Sequence, residues 1–402
     1  MSQLKVLFLA HSYIRYRGDL AGPFIHNVAK NLVRTGERAY VLAPHNKGLA
    51  TCERIDGVEI HRFRYARVSS ERLAYKGNMD EQVKGKGNWR NKRLFASFLY
   101  YFFTNSLALV RSRKIDILFA HWWIPGGLVG WLASLLTGKP LLVTLHGTDY
   151  RVLKKYRYLR PLAKLIFKRA RYVTVVSSFM KEYLVESDLV SKDKIEILPM
   201  PVDSQRFKPQ KLLKKDKKII LCVAKFTKQK GLDYLIEASK LLFDKKLDFE
   251  VKIIGGGPDW GHFEKKIKDL GLSQMVFLFD KILQEKLPSY YQEADVIVLP
   301  AIEEGFGLVL VEAQLCRRPV IGTKSGGIPD IIEDEMTGLL IPPGDHFSLA
   351  SAMERILTDE KLAGNLAEAG YRSALRKFSP EAIQGKYQQV LSRLSPDANL
   401  FC

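Results

Sequence analysis

Two glutamates in the second half of the chain lie eight residues apart, in a stretch whose other residues favour anion binding. Glu304 belongs to an acidic, glycine-spaced loop, and Glu312 falls inside the helical pattern that begins at Leu308. The loop follows Asp295–Leu299, a short β-branched run that predicts a buried strand. Because a glycine loop at a helix N-terminus exposes free backbone N–H groups, and the helix dipole adds to them, this stretch predicts a phosphate site.

The separation of the two carboxylates indicates which phosphate compound would fit. Eight residues of helix span roughly 12 Å, about the span from the ribose to the hexose of a nucleotide-diphospho-sugar. Carboxylates accept hydrogen bonds from hydroxyls well, and their charge strengthens these bonds. We therefore expect one glutamate on the ribose, the other near the sugar, and the loop amides on the diphosphate. The alternative is a surface acidic loop followed by an ordinary core helix.

Residues 304–312, EGFGLVLVE, resemble the E-x7-E signature of the large glycogen-synthase-like family of retaining glycosyltransferases. The resemblance implies an α/β protein of the GT-B fold, with two facing Rossmann-like domains, parallel sheets and a C-terminal helix that crosses back to the first domain. It implies an acceptor-side domain at residues 1–203, completed by the helix at 381–402. The domain that binds the nucleotide sugar is expected at residues 204–380.

Three further motifs occur in the order typical of that family. Residues 146–149, HGTD, end a predicted strand and resemble HG-x-D, whose histidine faces the transferred sugar. Lys225 and Lys230-Gly231 resemble the R-x4-KG element that binds the donor diphosphate, with Lys225 in place of the usual arginine. Lysine neutralises a phosphate but lacks the bidentate fork of arginine. Residues 255–258, GGGP, resemble the family's G-x-GP turn.

The start of the chain predicts a doubly wound parallel domain. A first strand at Lys5–Ala10, a polar loop, a helix at Pro23–Thr35 and a second strand at Ala39–Ala43 follow one another. Ligands of such domains bind at the carboxyl ends of the strands. The family usually has a Gly-Gly pair in the first loop; here the matching positions are Ala21-Gly22, so only Gly22 allows close backbone approach.

The resemblance assigns a role to each of these positions. His146 is expected against the reacting sugar, Glu304 on the sugar hydroxyls, and Lys225 and Lys230 on the departing diphosphate. These four are the predicted catalytic residues, and Glu312 is predicted to hold the ribose. The full set predicted to bind the donor is Gly22, Gly256, Gly305, Phe306, Gly307, Leu308 and Glu312.

No cofactor and no essential metal are expected beside the nucleotide-sugar substrate. Fixed cations and amides can stabilise the departing diphosphate in place of a metal, and the eight histidines show no metal-ligand spacing. No residue stands out as a nucleophile, so the sequence predicts front-face attack by the acceptor, assisted by the leaving phosphate.

The composition is that of a globular protein with an excess of positive charge. The net charge of +20 implies an anionic partner, whether nucleic acid, an anionic membrane or a phosphate-bearing substrate, although solubility alone also explains it. The four cysteines lie far apart, which favours reduced thiols in the cytoplasm, and no secretory signal is seen.

Two segments bear on membrane association. Arg151–Arg171 holds nine lysines and arginines and no acidic residue, which predicts either a solvated face or an anion-binding surface beside the acceptor. Leu94–Val110 is uncharged for 17 residues, and we expect a buried helix rather than a span because three polar residues interrupt it. A helix lying on the membrane surface is the alternative. Residues 76–93 predict an exposed loop, and Pro199–Lys217 predicts an interdomain linker.

The sequence thus predicts a retaining glycosyltransferase that moves a hexose from a UDP or GDP sugar to a hydroxyl acceptor in glycolipid or cell-surface polysaccharide synthesis. The acceptor could be lipid-linked, with the enzyme peripheral on the inner face of the membrane; no specific nucleic acid is expected. A nucleotide-sugar epimerase of the same architecture and a non-catalytic basic protein that binds nucleic acid or membrane remain alternatives. The chain lacks a G-x-G-x-x-G after its first strand, which argues against a dinucleotide oxidoreductase.

Overall fold

The chain folds into two compact units. The computed structural model describes residues 3–19, 21–75, 79, 88–210 and 217–394. The first unit comprises the chain up to Val176, Met180–Leu198 and the residues from Gln384 onward. The second unit comprises Ser177–Phe179 and Pro199–Ile383. Of the predicted linker at 199–217, residues 211–216 lie outside the described residues.

The first unit is built on an eight-stranded sheet in the order β3-β4-β2-β1-β5-β6-β7-β8. All neighbouring strands are parallel except β3 and β4, which form a hairpin. Its turn is Asp56-Gly57, and both residues have positive φ, 49° and 84°, as a tight hairpin turn requires. The strands are β1 (Lys5–Leu9), β2 (Arg38–Pro44), β3 (Cys52–Ile55), β4 (Val58–Phe63), β5 (Ile117–His121), β6 (Leu141–Leu145), β7 (Tyr172–Val175) and β8 (Ile195–Ile197).

The winding of this sheet reverses beside its first strand. β1 pairs with β2 on one side and with β5 on the other, so the connections leave β1 and β5 in opposite directions. A crevice forms at the carboxyl ends of two strands where the winding reverses, and ligands of doubly wound sheets bind there. The described residues of the loop after β1 (10–19, 21 and 22) and the turn after β5, Trp122–Gly127, are therefore placed to form a site.

Helices connect the parallel strands of the first unit. They are α1 (Pro23–Arg34), α2 (Trp89–Arg113), α3 (Leu128–Thr137), α4 (Thr148–Lys155), α5 (Arg160–Arg169) and α6 (Ser178–Glu186). Strands β1, β5 and β6 are buried almost throughout, and their continuous apolar sequences are typical of parallel strands covered on both faces.

Helix α2 differs from two sequence predictions, the exposed loop at residues 76–93 and the buried helix at Leu94–Val110. It begins at Trp89, so the end of the predicted 76–93 loop is helical, while residues 76–78 and 80–87 lie outside the described residues. The predicted buried helix is buried along one face only, through residues such as Phe98 and Phe102, whereas Tyr100 is 62% exposed. A helix that lies against a sheet covers it with one stripe, so its other face stays in water.

None of the helices in the described part of the chain combines the length and the apolar character needed to cross a bilayer.

The second unit repeats this plan with a six-stranded parallel sheet in the order β11-β10-β9-β12-β13-β14. Its winding reverses between the neighbouring strands β9 and β12, so the connections that follow these two strands leave in opposite directions. Residues 224–231 follow β9, and residues 300–307 follow β12. The strands are β9 (Lys218–Val223), β10 (Phe249–Ile254), β11 (Val276–Phe279), β12 (Val296–Leu299), β13 (Val320–Thr323) and β14 (Leu339–Ile341). The helices of this unit are α7 (Leu232–Asp244), α8 (Trp260–Asp269), α9 (Leu287–Glu293), α10 (Leu308–Leu315), α11 (His346–Thr358) and α12 (Glu360–Phe378). The last helix, α13 (Pro380–Ser392), begins in the second unit, and its residues from Gln384 onward belong to the first unit.

Candidate functional site

Lys230 and Glu304 lie beside each other at the carboxyl ends of the two central strands of the second sheet, β9 and β12. Lys230 belongs to the loop after β9, and Glu304 belongs to the loop after β12. Lys230 Nζ donates to Glu304 Oε2 over 2.5 Å, and Glu304 Oε1 accepts from the Gly305 N–H over 2.9 Å. Both charged side chains are largely buried, and burial strengthens the attraction of an ion pair relative to water. Two residues predicted for the site therefore share one ion pair.

Glycines bring the loops around Glu304 into backbone contact. A Cβ atom on Gly231 would lie 1.9 Å from the Pro300 carbonyl oxygen, and one on Gly326 would lie 1.8 Å from the Glu304 carbonyl oxygen. Both glycines have positive φ, 65° and 55°, which other residues rarely adopt. A side chain at either position would push the loops apart, so these glycines fix the position of Glu304 from two sides.

Glu312 accepts a hydrogen bond from a buried tyrosine. It lies on α10, is 7% exposed, and its Oε2 is 2.7 Å from the hydroxyl of Tyr291 on α9. Burial raises the pKa of Glu312 to about 7, whereas the Tyr291 hydrogen bond and the charge of Arg206 act to lower it. Only Leu308–Glu312 of the interval from Glu304 is helical, so the estimate of about 12 Å, which treats the whole interval as helix, does not hold.

The residues between the two glutamates offer backbone groups to a ligand. Gly307 has a φ of 105° and precedes α10, whose first N–H groups have no partners within the helix. The Phe306 ring is buried against Phe378 at a centroid separation of 5.6 Å, so packing occupies this side chain. Leu308 is half-buried at the first position of the helix. An anion at this turn would therefore meet amides rather than side chains.

Gly256 supports the loop that carries Lys225. The Phe226 N–H donates to the Gly256 carbonyl oxygen over 3.0 Å, and a Cβ on Gly257 would lie 2.2 Å from the Phe226 carbonyl oxygen. The glycine run after β10 thus packs directly on the backbone after β9. Lys225 itself is exposed, which leaves its ammonium group in water.

His146 in the first unit shares a hydrogen bond with a second histidine. It follows β6, and its Nε2 lies 2.9 Å from Nδ1 of His121, the last residue of the neighbouring strand β5. The two rings are nearly parallel, with centroids 5.1 Å apart. Burial lowers the pKa of His146 to about 3 and holds that of His121 well below its ordinary range, so both rings are neutral at pH 7.

Asp149 organises the turn that contains His146. Its Oδ1 accepts from the backbone N–H groups of His146, Gly147 and Tyr150 over 2.9 to 3.1 Å. The Trp123 indole donates to the Asp149 carbonyl oxygen over 3.0 Å. Burial raises the pKa of Asp149 to about 6, while backbone N–H groups that donate to its carboxylate, among them those of His146 and Tyr150, act to lower it. The carboxylate therefore fixes the backbone from which the His146 side chain projects.

Aromatic rings surround His146 on the same side of the first sheet. Trp122 is held at a positive φ of 62°, and its indole N–H donates to Thr148 Oγ1 over 2.9 Å. Its ring centroid lies 4.8 Å from that of His146 and 4.2 Å from that of His11, and Phe24 lies 4.8 Å from His146. These rings shield the imidazole from water and provide a surface on which an apolar sugar face can pack.

Gly22 allows a close backbone contact directly before α1. Its φ is 66°, and a Cβ there would lie 2.8 Å from the carbonyl oxygen of Ser12. The turn after β1 therefore depends on Gly22 even though Ala21 replaces the first glycine of the usual pair.

One group of three side chains among the described residues has the spacing to hold a metal ion: Cys52, Glu59 and His61 on the hairpin of β3 and β4. Glu59 Oε1 already accepts from His61 over 2.7 Å and from Arg113 over 2.9 Å. A cation would have to displace a guanidinium group there, and none of the predicted site residues belongs to this group.

The sequence predicts a cleft-facing loop at residues 121–127, but it assigns no role to the side chains of His121, Tyr291 or Asp149. A signal for His121 was present, because it directly follows a predicted strand at Ile115–Ala120, the next predicted strand leads to His146, and consecutive parallel strands usually pair. Tyr291 had no such signal, since nothing in the local sequence links α9 to the interior of α10.

Comparison with known proteins places the chain among glycosyltransferases. Residues 21–206 match the family model for Glycosyltransferase Family 4, and residues 203–373 match that for Glycosyl transferases group 1. The N-acetyl-alpha-D-glucosaminyl L-malate synthase of Bacillus anthracis is 28% identical over 297 residues, which are 71% of this chain and 77% of that protein.

A second relative and a solved structure agree with the family models. The GDP-mannose-dependent alpha-(1-6)-phosphatidylinositol monomannoside mannosyltransferase of Mycolicibacterium smegmatis is 27% identical over 71% of this chain and 78% of its own length. The sucrose-phosphate synthase of Thermosynechococcus elongatus superposes with a TM-score of 0.81 at 22% identity, over 98% of this chain and 99% of that one. The structural match shows the fold, which is the α/β architecture expected from the sequence.

Proposed function

We propose that this chain, which belongs to the GT-B glycosyltransferases, transfers a hexose from a nucleoside diphosphate sugar to a hydroxyl acceptor with retention of anomeric configuration. The observation that carries the proposal is the Lys230–Glu304 ion pair at the carboxyl ends of β9 and β12 in the second sheet. A cation and a carboxylate side by side match the two halves of such a donor, a diphosphate and a sugar rich in hydroxyls.

The diphosphate is assigned to the cations and backbone amides of the second unit. Lys230 and Lys225 supply positive charge, and the turn at Phe306–Leu308 supplies N–H groups, whereas the Gly305 N–H already donates to Glu304. Cleavage of the anomeric C–O bond leaves negative charge on the departing phosphate, and preorganised donors stabilise this charge without moving. Glu304 then accepts from sugar hydroxyls, and Glu312 accepts from the ribose.

Retention is assigned to attack on the same face of the sugar that the phosphate leaves. The anomeric C–O bond to the diphosphate breaks, the acceptor oxygen bonds to the anomeric carbon, and the acceptor proton passes to the leaving phosphate oxygen. This route needs no nucleophile from the protein. Trapping a stable glycosyl-enzyme adduct by mass spectrometry would contradict it.

Product analysis tests the proposal most directly. Purified protein is incubated with UDP, GDP and ADP sugars and a panel of hydroxyl acceptors, with and without magnesium, and the anomeric configuration of the product is read by proton NMR. We expect one base to be preferred, activity without magnesium, a product that keeps the donor configuration, and strong loss of activity in Glu312→Ala. An epimerised sugar formed without any acceptor would favour the epimerase instead.

A lipid-linked acceptor at an anionic membrane is the second part of the proposal. Helices α4 and α5 are rich in lysine and arginine, and Tyr158 and Leu165 among these charges are 75% and 52% exposed. Leu135 and Leu136 at the end of α3 are 52% and 67% exposed, and α3 is joined to α5 by a hydrogen bond from Arg169 to Ser134. Exposed apolar side chains among cations match an anionic lipid surface.

Vesicle flotation distinguishes membrane binding by this surface from binding that the net positive charge alone would cause. We expect binding to phosphatidylglycerol vesicles but not to phosphatidylcholine vesicles, weakened by Lys155→Glu with Lys168→Glu. The matched control reverses two exposed lysines of the second unit, Lys265→Glu with Lys268→Glu, and should leave binding intact. An equal loss in both double variants would show that only net charge matters.

A further inference from the structure

The hydrogen bond between His121 and His146 limits where their protons can be. Two neutral imidazoles carry two N–H groups and two bare nitrogens. The bond between His121 Nδ1 and His146 Nε2 uses one of each. If His121 donates, the remaining N–H lies on His146 Nδ1; if His146 donates, it lies on His121 Nε2. The pair therefore has two tautomeric arrangements, which differ in the ring that carries the outer N–H.

Both outer nitrogens are buried without a hydrogen-bond partner among the described residues. A buried N–H that makes no hydrogen bond is costly, and orphaned N–H groups are rarer in proteins than acceptors with spare capacity. The favoured arrangement is therefore the one that puts the outer N–H where water or a ligand can reach it most easily.

The surroundings of the two rings differ in this respect. His121 is 1% exposed, and its ring lies against Phe8 and Phe119 at centroid separations of 5.5 and 4.5 Å. The turn after β5 closes over it, because a Cβ on Gly126 would lie only 2.4 Å from the His121 carbonyl oxygen. His146 is half-buried and follows the end of its strand. An N–H on His121 Nε2 would point into the aromatic core, whereas His146 Nδ1, although itself buried, belongs to a residue that keeps part of its surface exposed beyond the end of its strand.

We propose that His121 is a positioning residue that holds His146 in the Nδ1–H tautomer, so that His146 offers a hydrogen-bond donor rather than a base to an oxygen atom of the bound ligand. Both rings are neutral at pH 7, as described above, so the tautomer and not the charge is what His121 controls. The identity of the ligand oxygen, on the sugar or on the diphosphate, rests on the proposed function; the tautomer does not.

NMR of the imidazole nitrogens tests the tautomer directly. Protein labelled with 15N in its eight histidines is recorded at pH 7 by long-range 1H–15N correlation, which distinguishes Nδ1–H, Nε2–H and the imidazolium. The His146 signals are assigned as those missing from His146→Gln. We expect Nδ1–H on both His121 and His146. An Nε2–H tautomer or an imidazolium at His146 would overturn the proposal, whatever activity the protein has.

Substitution of His121 separates positioning from packing. His121→Phe keeps a ring in the aromatic core but cannot donate to His146, whereas His121→Gln keeps an amide donor. In His121→Phe we expect the His146 Nε2–H form to appear and kcat to fall about tenfold, the effect of one lost hydrogen bond. His121→Gln should restore both. Unchanged His146 signals in a folded His121→Phe would refute the role of His121, and if that variant does not fold, the wild-type spectrum alone decides.

Discussion

Lys230 Nζ lies 2.5 Å from Glu304 Oε2, so the cation proposed for the diphosphate is paired with the carboxylate proposed for the sugar. A bound diphosphate would compete with Glu304 for the lysine. Glu304 Oε2 would then be available to accept from a sugar hydroxyl. Under the proposed function, recognition of the two halves of the donor would thereby be coupled through one ion pair.

Lys230→Ala should weaken binding of the nucleoside diphosphate by about 10- to 100-fold, the usual effect of a lost charge-assisted hydrogen bond. Lys228→Ala is the matched control, because Lys228 is exposed two residues earlier on the same loop. Isothermal titration calorimetry with UDP and GDP measures both variants. Equal affinities in Lys230→Ala and wild type would remove Lys230 from the diphosphate site.

Glu312→Gln should stabilise the protein at pH 8 and leave its stability at pH 5 nearly unchanged. Because the pKa of Glu312 rises on folding from 4.5 to about 7, the folded state binds more protons than the unfolded state in this range. The free energy of unfolding therefore falls as the pH rises from about 4.5 to 7, and the fully ionised carboxylate costs about 2 to 4 kcal/mol. Thermal unfolding at the two pH values measures the difference.

The exposed Glu285 provides the control for that experiment. Glu285→Gln removes the same charge from the same unit without a desolvation effect, so its unfolding midpoint should shift little at either pH. Glu312→Gln should also weaken donor binding, which would place stability and function in opposition at this residue. A lower midpoint for Glu312→Gln at pH 8 would contradict the assignment of a buried carboxylate held at a cost.

Asp149→Ala should destabilise the first unit by about 2 to 4 kcal/mol, because three backbone N–H groups lose their acceptor. Asp193→Ala, at an exposed position of the same unit, should change stability little. Chemical denaturation measures both. If Asp149→Ala unfolds like wild type, water must satisfy the N–H groups and Asp149 cannot be what fixes the His146 backbone.

Gly231→Ala should disrupt the second unit far more than Gly271→Ala. Both glycines have positive φ, 65° and 70°, so both substitutions carry the backbone penalty of about 1 kcal/mol. Only Gly231 meets another backbone, since a Cβ on Gly271 has no heavy atom within 4 Å among the described residues. The difference between their unfolding midpoints isolates the contact with Pro300. Equal midpoints would show that the loop after β12 moves aside at little cost.

The local structure around Glu304 could be predicted from sequence because its signals are short-range. The predicted strand at 295–299 is β12, which begins one residue later and ends at Leu299 as predicted, and the helix begins at Leu308 as expected. A β-branched run and glycines determine these elements through neighbouring residues alone.

Long-range partners could not be predicted in the same way. Tyr291 reaches Glu312 from another helix, and the exposure of Tyr100 on α2 depends on which face of that helix the sheet covers. Each of these features depends on how distant elements pack, and the composition of a single segment does not encode that.

The residues from Gln384 onward belong to the first unit, although nearly the whole second unit precedes them in the chain. Tyr387 is 5% exposed with its ring centroid 6.3 Å from that of Phe119 in β5, and Val390 and Leu391 are also buried. When residues 1–198 of the first unit have left the ribosome, the side chains of α13 that cover the surface around Phe119 have therefore not yet been synthesised. The nascent first unit keeps an uncovered apolar surface until translation reaches α13, so its folding is completed only after the second unit has been synthesised.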